Sequence, residues 1–174
     1  MSWTLDKVHS NVSFSVRHMM VSKVKGRFGE FDATIDIDEA EPARSSLEAR
    51  VQVASIDTRE VPRDAHLRSA DFFDADNHPE MVFRSTRVES GSNGKLRLVG
   101  DLTIRGTTRE IVLDGEYEGP LADIQGQRRF GFELQGRVDR EAFGLLWNMP
   151  IEAGGFLVGK DVELSIDGEV VEGQ

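Results

Sequence analysis

Arg63, Asp64 and His66 place a guanidinium, a carboxylate and an imidazole within four residues, a set that could move a proton or grip a polar group. No G-x-S-x-G or equivalent nucleophile signature accompanies them, and a salt-bridged helix surface uses the same residue types. The histidines are His9, His18, His66 and His78, and no two have the H-x-H or H-x-x-x-H spacing that aims a pair of imidazoles at one metal. His9 and His18 are an odd number apart, so a regular strand would turn them to opposite faces. Asp71, Asp74 and Asp76 flank Phe72-Phe73 without the order of a calcium loop. Cysteine is absent, which removes disulfides, thiolate ligands and cysteine nucleophiles together. The sequence therefore carries no catalytic signature, no metal-ligand spacing and no cofactor motif, so a metal site would need long-range convergence and a structural or head-group role is the expectation for Arg63, Asp64 and His66.

The elements that would position a binding site are strands. The hydrophobic period is two along most of the chain: Val12, Phe14 and Val16 alternate with Ser13, Ser15 and Arg17, and Leu47, Ala49, Val51 and Val53 alternate with Glu48, Arg50 and Gln52. Eight strands are predicted, over residues 8–20, 24–38, 46–56, 81–89, 95–104, 109–118, 128–140 and 161–171. The second changes parity near Gly29, which predicts a bulge. Turn residues at 90–94, 105–108 and 119–126 make the neighbours antiparallel hairpins. One stretch, 57–77, breaks the pattern; Asp57 or Thr58 could cap a helix there, Pro62 suits its first turn and Ser69 can open another. The fold class is all-β, an extended eight-stranded antiparallel barrel of lipocalin-like type with a short helical insertion, forming one domain over 1–174.

Eight long strands can close around a small ligand. Gly100, Gly115, Gly136 and Gly168 fall on the apolar parity of their strands, which reads either as room inside a tube or as relief of crowding where strands curl. Phe14, Val16, Phe28, Phe83, Leu102, Leu113 and Phe132 share the inward parity and are the expected wall. Phe143, Leu146, Trp147 and Met149 form an apolar loop expected to close one end. His18, Arg59, Arg63, Asp64 and His66 gather near the end of the first strand and the helical insertion, where they could hold an amphiphile's head group or tether the helix to the rim.

The opening Trp3-x-x-Asp6-x-x-His9-Ser10-x-x-x-Phe14-x-Val16-x-His18 with Gly26-x-Phe28, the central Arg63-Asp64-x-His66-Leu67-Arg68-Ser69-x-Asp71-Phe72-Phe73-Asp74 and Pro79-x-Met81-x-Phe83 carry a resemblance. So do Gly100-Asp101-Leu102-Thr103-Ile104-Arg105-Gly106 and Arg140-Glu141-x-Phe143-Gly144-Leu145. Together they resemble the YceI-like family, also called polyisoprenoid-binding or lipocalin-like. The resemblance implies a barrel whose pore holds an isoprenoid or other long-chain lipid, often in a homodimer, and a protein that is commonly exported.

The expected function is non-catalytic carriage or storage of such a lipid. A small lipid-acting hydrolase or isomerase, or a ligand-free stress-response interaction module, are the competing readings. The net charge of -10 opposes nucleic acid and anionic membrane surfaces unless a local basic patch overrides it, and no Lys/Arg block is visible along the chain. No membrane-inserting segment is read, and Met1-Ser2-Trp3 runs into patterned sequence without an apolar leader, so the cytoplasm is the expected location unless a leader has been removed.

Overall fold

The structure is a computed structural model that describes residues 2–150 and 157–173. Its strands are β1 (Ser2–His18), β2 (Ser22–Phe28), β3 (Phe31–Asp36), β4 (Ser46–Gln52), β5 (Ile56–Asp57), β6 (Glu80–Ser90), β7 (Lys95–Ile104), β8 (Thr107–Ala122), β9 (Arg128–Asp139) and β10 (Val158–Glu172). One α-helix, α1, spans Val61–Arg68. The strands pair antiparallel in the order β10-β9-β8-β7-β6-β4-β3-β1-β2-β5, and β10 also pairs with β1, which closes the ring.

Eight walls result from ten strands because two walls are interrupted. The predicted strand 24–38 breaks at Gly29-Glu30, where the inward parity changes: β2 pairs with the second half of β1 (Phe14↔Gly26) and β3 with its start (Trp3↔Ile35). A 3-10 turn, Val53–Ser55, likewise separates β4 from β5, which pairs with β2. β1 begins earlier than its clean alternation because Trp3 and Leu5 belong to a separate register, divided from Val12 by a bulge between Asp6 and Asn11. Trp3 is buried there with Ile35 and Val170, its ring 4.9 Å from that of Phe130.

The excursion at 57–77 holds a helix of eight residues only. Asp64 accepts from Thr58 N–H at 2.9 Å and Thr58 Oγ1 at 2.5 Å, which binds the first turn to the preceding loop in place of a side-chain N-cap. Ser69 stops the helix and starts the next turn, its carbonyl accepting from Phe72 and Asp74 N–H.

The inward glycines are not empty space. A Cβ at Gly115 would overlap the Glu133 carbonyl, one at Gly136 would lie 2.7 Å from Leu113 Cδ2, and one at Gly168 2.9 Å from the Phe132 ring. These positions let strands coil tightly against one another, so crowding relief is their role, and the hollow of the barrel arises elsewhere.

Candidate functional site

The barrel encloses a cavity of about 460 Å³ with an overwhelmingly apolar wall. Phe14, Val16, Phe28, Phe83, Leu102, Leu113 and Phe132 all lie on that wall. Gly26 sits opposite Phe14 in the β1–β2 ladder, and a Cβ there would strike the Phe14 ring. The small residue thus lets the ring lie flat on the sheet. Ala33 and Ala49 face one another across β3 and β4 and both border the cavity. Two methyl side chains on adjacent strands leave unfilled width at that height.

Along β10 the lining runs from Val158 to Val170, which at about 3.3 Å per residue and a tilt of about 40° corresponds to roughly 30 Å of barrel axis. A cavity of this volume drawn out over that length is narrow. It fits an extended chain better than a compact metabolite.

The two ends differ. At one, Phe72, Phe143 and Leu145 are buried and seal the tube, with Leu67 and Phe73 beside them. Arg140 organises this floor. Its guanidinium is buried and donates to four backbone carbonyls: Gly159 at 2.7 Å, Leu145 at 2.6 Å, Trp147 at 3.0 Å and Val158 at 3.3 Å. Burial holds its pKa below the ordinary arginine value. At the other end the lining passes onto exposed residues, Asp36, Glu39, Pro42, Gly119 and Pro120, which form the mouth. Asp38 and Asp167 add to its acidity. Among the described lining residues Arg140 is the one cation.

The expected head-group cluster lies off the cavity wall. His18, Arg59, Arg63, Asp64 and His66 are all absent from the described lining. Arg63 donates from Nε to Thr58 Oγ1 at 2.8 Å and from Nη2 to the Thr58 carbonyl at 2.7 Å, and it pairs with Glu60 at 3.2 Å. Asp64 is engaged by the same threonine. His66 Nε2 stands 2.8 Å from Asp71 Oδ2, and its ring meets those of Phe72 and Trp147 edge-on at 5.1 and 4.6 Å. These contacts are those of a tether, in which α1 is strapped to its loop and Trp147 is pinned against it. Arg59 is exposed with φ of 65°. Of the loop expected to close the end, Phe143 does so; Trp147 backs it from outside the lining, whereas Leu146 and Met149 are exposed. Their apolar type was read correctly and their direction was not, because a loop has no period from which a side can be inferred.

Sequence reasoning missed Arg140, the acidic mouth and Ser10. Ser10 lines the cavity at the β1 bulge, donating to the Asp6 carbonyl at 2.6 Å and accepting from Glu169 N–H at 3.3 Å. Beside it Asp6, His9 and Glu169 bring ligand-type atoms within 4.8 Å of one another. Arg129 already donates to Asp6 at 3.0 Å and to Glu169 at 3.4 Å, so a guanidinium supplies the positive charge that a cation would bring. No helix among the described residues is long and apolar enough to cross a membrane.

Known proteins share this architecture. A UPF0312 protein of Staphylococcus epidermidis is 36% identical over 168 residues, 96% of this chain and 95% of that protein. The crystal structure of the Campylobacter jejuni YceI protein superposes with a TM-score of 0.76 at 34% identity, over 98% of both chains. A polyisoprenoid binding domain from Saccharophagus degradans, 12% identical, superposes with a TM-score of 0.68 over 98% of both chains and shares the fold. The YceI-like domain pattern matches residues 3–170, from the buried Trp3 to the strand that closes the ring, and the chain belongs to the YceI-like family.

Proposed function

We propose that this protein binds a long-chain isoprenoid or similar amphiphilic lipid inside the barrel, without chemical change to it, as a carrier or store. The observation that carries this reading is the extended apolar cavity of about 460 Å³. That volume lies in the range of about 300–1,000 Å³ usual for small-molecule sites. An apolar chain drawn into it loses contact with water at about 25 cal/mol per Å², a gain that accumulates with chain length. Family membership and the likeness to the polyisoprenoid binding domain of Saccharophagus degradans support the same ligand class. No histidine borders the described wall, and the Arg63, Asp64 and His66 side chains are engaged with Thr58 and Asp71, which favours binding over hydrolysis.

Native mass spectrometry of freshly purified protein, followed by extraction and identification of the released molecule, is the test. The expected result is a co-purifying long-chain lipid recovered intact. Protein that emerges empty and takes up no added prenyl alcohol or fatty amphiphile, or that returns the lipid cleaved or isomerised, overturns the proposal.

A further inference from the structure

The β1–β2 hairpin ends in His18-Met19-Met20-Val21, closed by a hydrogen bond from Val21 N–H to the His18 carbonyl at 3.2 Å. Met19 and Met20 have φ of 51° and 63°, so both central residues occupy the left-handed region. Two successive left-handed residues are what Asn-Gly supplies with little strain, and here they sit in a three-residue connection between the paired His18 and Ser22. Methionine at both positions costs backbone energy that burial offsets only in part: Met19 is 44%, Met20 61% and the following Val21 82% exposed. The apolar surface continues, because Met19 N–H donates to the Leu157 carbonyl and Leu157 N–H to the Met149 carbonyl, each at 2.8 Å, bringing half-exposed Met149 alongside.

Directly behind this tip the outward face is basic. Arg17 and Lys23 are cross-strand partners, and Lys25 and Arg27 follow on the same parity of β2, all four exposed. Lys23 pairs with Glu163 and Arg27 with Asp57, while Arg17 and Lys25 have no carboxylate at ion-pair distance among the described residues. On a chain of net charge -10 this is a local reversal of sign, and it lies at the end of the barrel opposite the acidic mouth.

We propose that the β1–β2 hairpin is a docking element for an anionic lipid bilayer, with Met19, Met20 and Val21 entering the interface and Arg17, Lys23 and Lys25 meeting the phosphate level. Apolar tips with cationic flanks are held at such surfaces by burial and by electrostatic attraction together. A second copy of this chain is the less suitable occupant, since a two-fold contact centred on the tip would set one basic collar against another. The inference stands on surface residues and is independent of what the pore holds.

Flotation of the full chain with vesicles of 60% phosphatidylcholine and 40% phosphatidylglycerol tests it. Binding at low salt is expected, at least tenfold weaker on pure phosphatidylcholine or in 0.5 M salt. Met20→Asp with Val21→Asp, and separately Lys23→Glu with Lys25→Glu, should each weaken binding at least tenfold. The exposed apolar pair on the β8–β9 hairpin provides the control: Leu121→Asp with Ile124→Asp should leave binding unchanged. A further variant separates docking from folding, because Met19→Asn with Met20→Gly relieves the turn and should raise the melting temperature while abolishing vesicle binding. Wild-type protein that does not float, tip variants that float equally well, or a tip whose substitution dissolves a dimer without changing flotation would each overturn the proposal.

Discussion

Arg140 shows how one residue can fix the end of a tube. Four carbonyls converge on its guanidinium, those of Leu145 and Trp147 from the following loop and those of Val158 and Gly159 from the start of β10, and their dipoles stabilise a charge that burial alone would disfavour. Glycines act at the same scale by what they leave out. At Gly115 an added methyl group would overlap the Glu133 carbonyl, which is backbone and has little freedom to move. Gly115→Ala is therefore expected to destabilise by about 1–3 kcal/mol, the usual cost of forcing an extra group into a packed site. A urea titration checks this, and a change below about 0.5 kcal/mol would show that β8 and β9 can part at that point. The identity of these glycines was legible in the sequence, and so was their inward parity. Their purpose was not, because parity tells which face a residue is on and nothing of how near the next backbone comes.

Elements set the limits on the next level. The bulge in β1 exposes Val8 and gathers Asp6, His9, Arg129 and Glu169, with Asp123 on the far side of Arg129. The hydrogen bond to Asp6, with its charge and that of Glu169 nearby, raises the His9 pKa, and the hydrogen bond from His9, with Arg129, lowers that of Asp6. A base whose folded pKa is raised adds stability below its unfolded value, about 6.5 for histidine, and loses it as pH rises through the folded value. An acid whose folded pKa is lowered adds stability above its unfolded value and loses it as pH falls through the folded one. The pair thus contributes most between about pH 4 and 6.5. Wild-type protein should lose more melting temperature between pH 5.5 and 8.5 than His9→Asn does; equal losses would mean that the pair has no influence on folding. Strands with clean alternation were legible, since burial of one face imposes it. The break in 24–38 was visible as a parity change, but the short reach of α1 was not, as its boundary depends on Thr58 and Asp64 meeting in space. The basic stripe was hidden for a similar reason: Arg17, Lys23, Lys25 and Arg27 are scattered in the chain and become neighbours only when the hairpin forms.

Across the whole molecule the cavity is a matter of width. Ala33 and Ala49 are cross-strand partners on the wall, and the space they leave is where a ligand of the proposed kind would pass. Ala33→Leu with Ala49→Leu should cut lipid occupancy at least tenfold while changing stability by less than about 1.5 kcal/mol, because the added groups enter space and not packed atoms. Occupancy by native mass spectrometry and stability by denaturant titration separate the effects, and unchanged occupancy would mean that the ligand lies outside the barrel. The division of ends is also a whole-molecule property. The carboxylates of the mouth come from the end of β3, the loop after it and β10: Asp36, Asp38 and Glu39 are close in the chain, and only the fold adds Asp167 to them.

The ring closes by pairing its first strand with its last, and the ladder from Trp3↔Glu172 to His18↔Val158 joins residues some 140 to 170 positions apart. Such a seam makes the mean sequence separation of contacts high, so folding should be slow for a chain of this size, on the scale of milliseconds to seconds or longer. During synthesis β1 leaves the ribosome long before β10 exists, and until then both edges of the sheet are open to other strands. An enclosed pore therefore cannot exist before translation of the last strand, which makes loading of any cargo a post-translational event and makes a nascent chain of this protein a natural client for chaperones that cover unpaired edges.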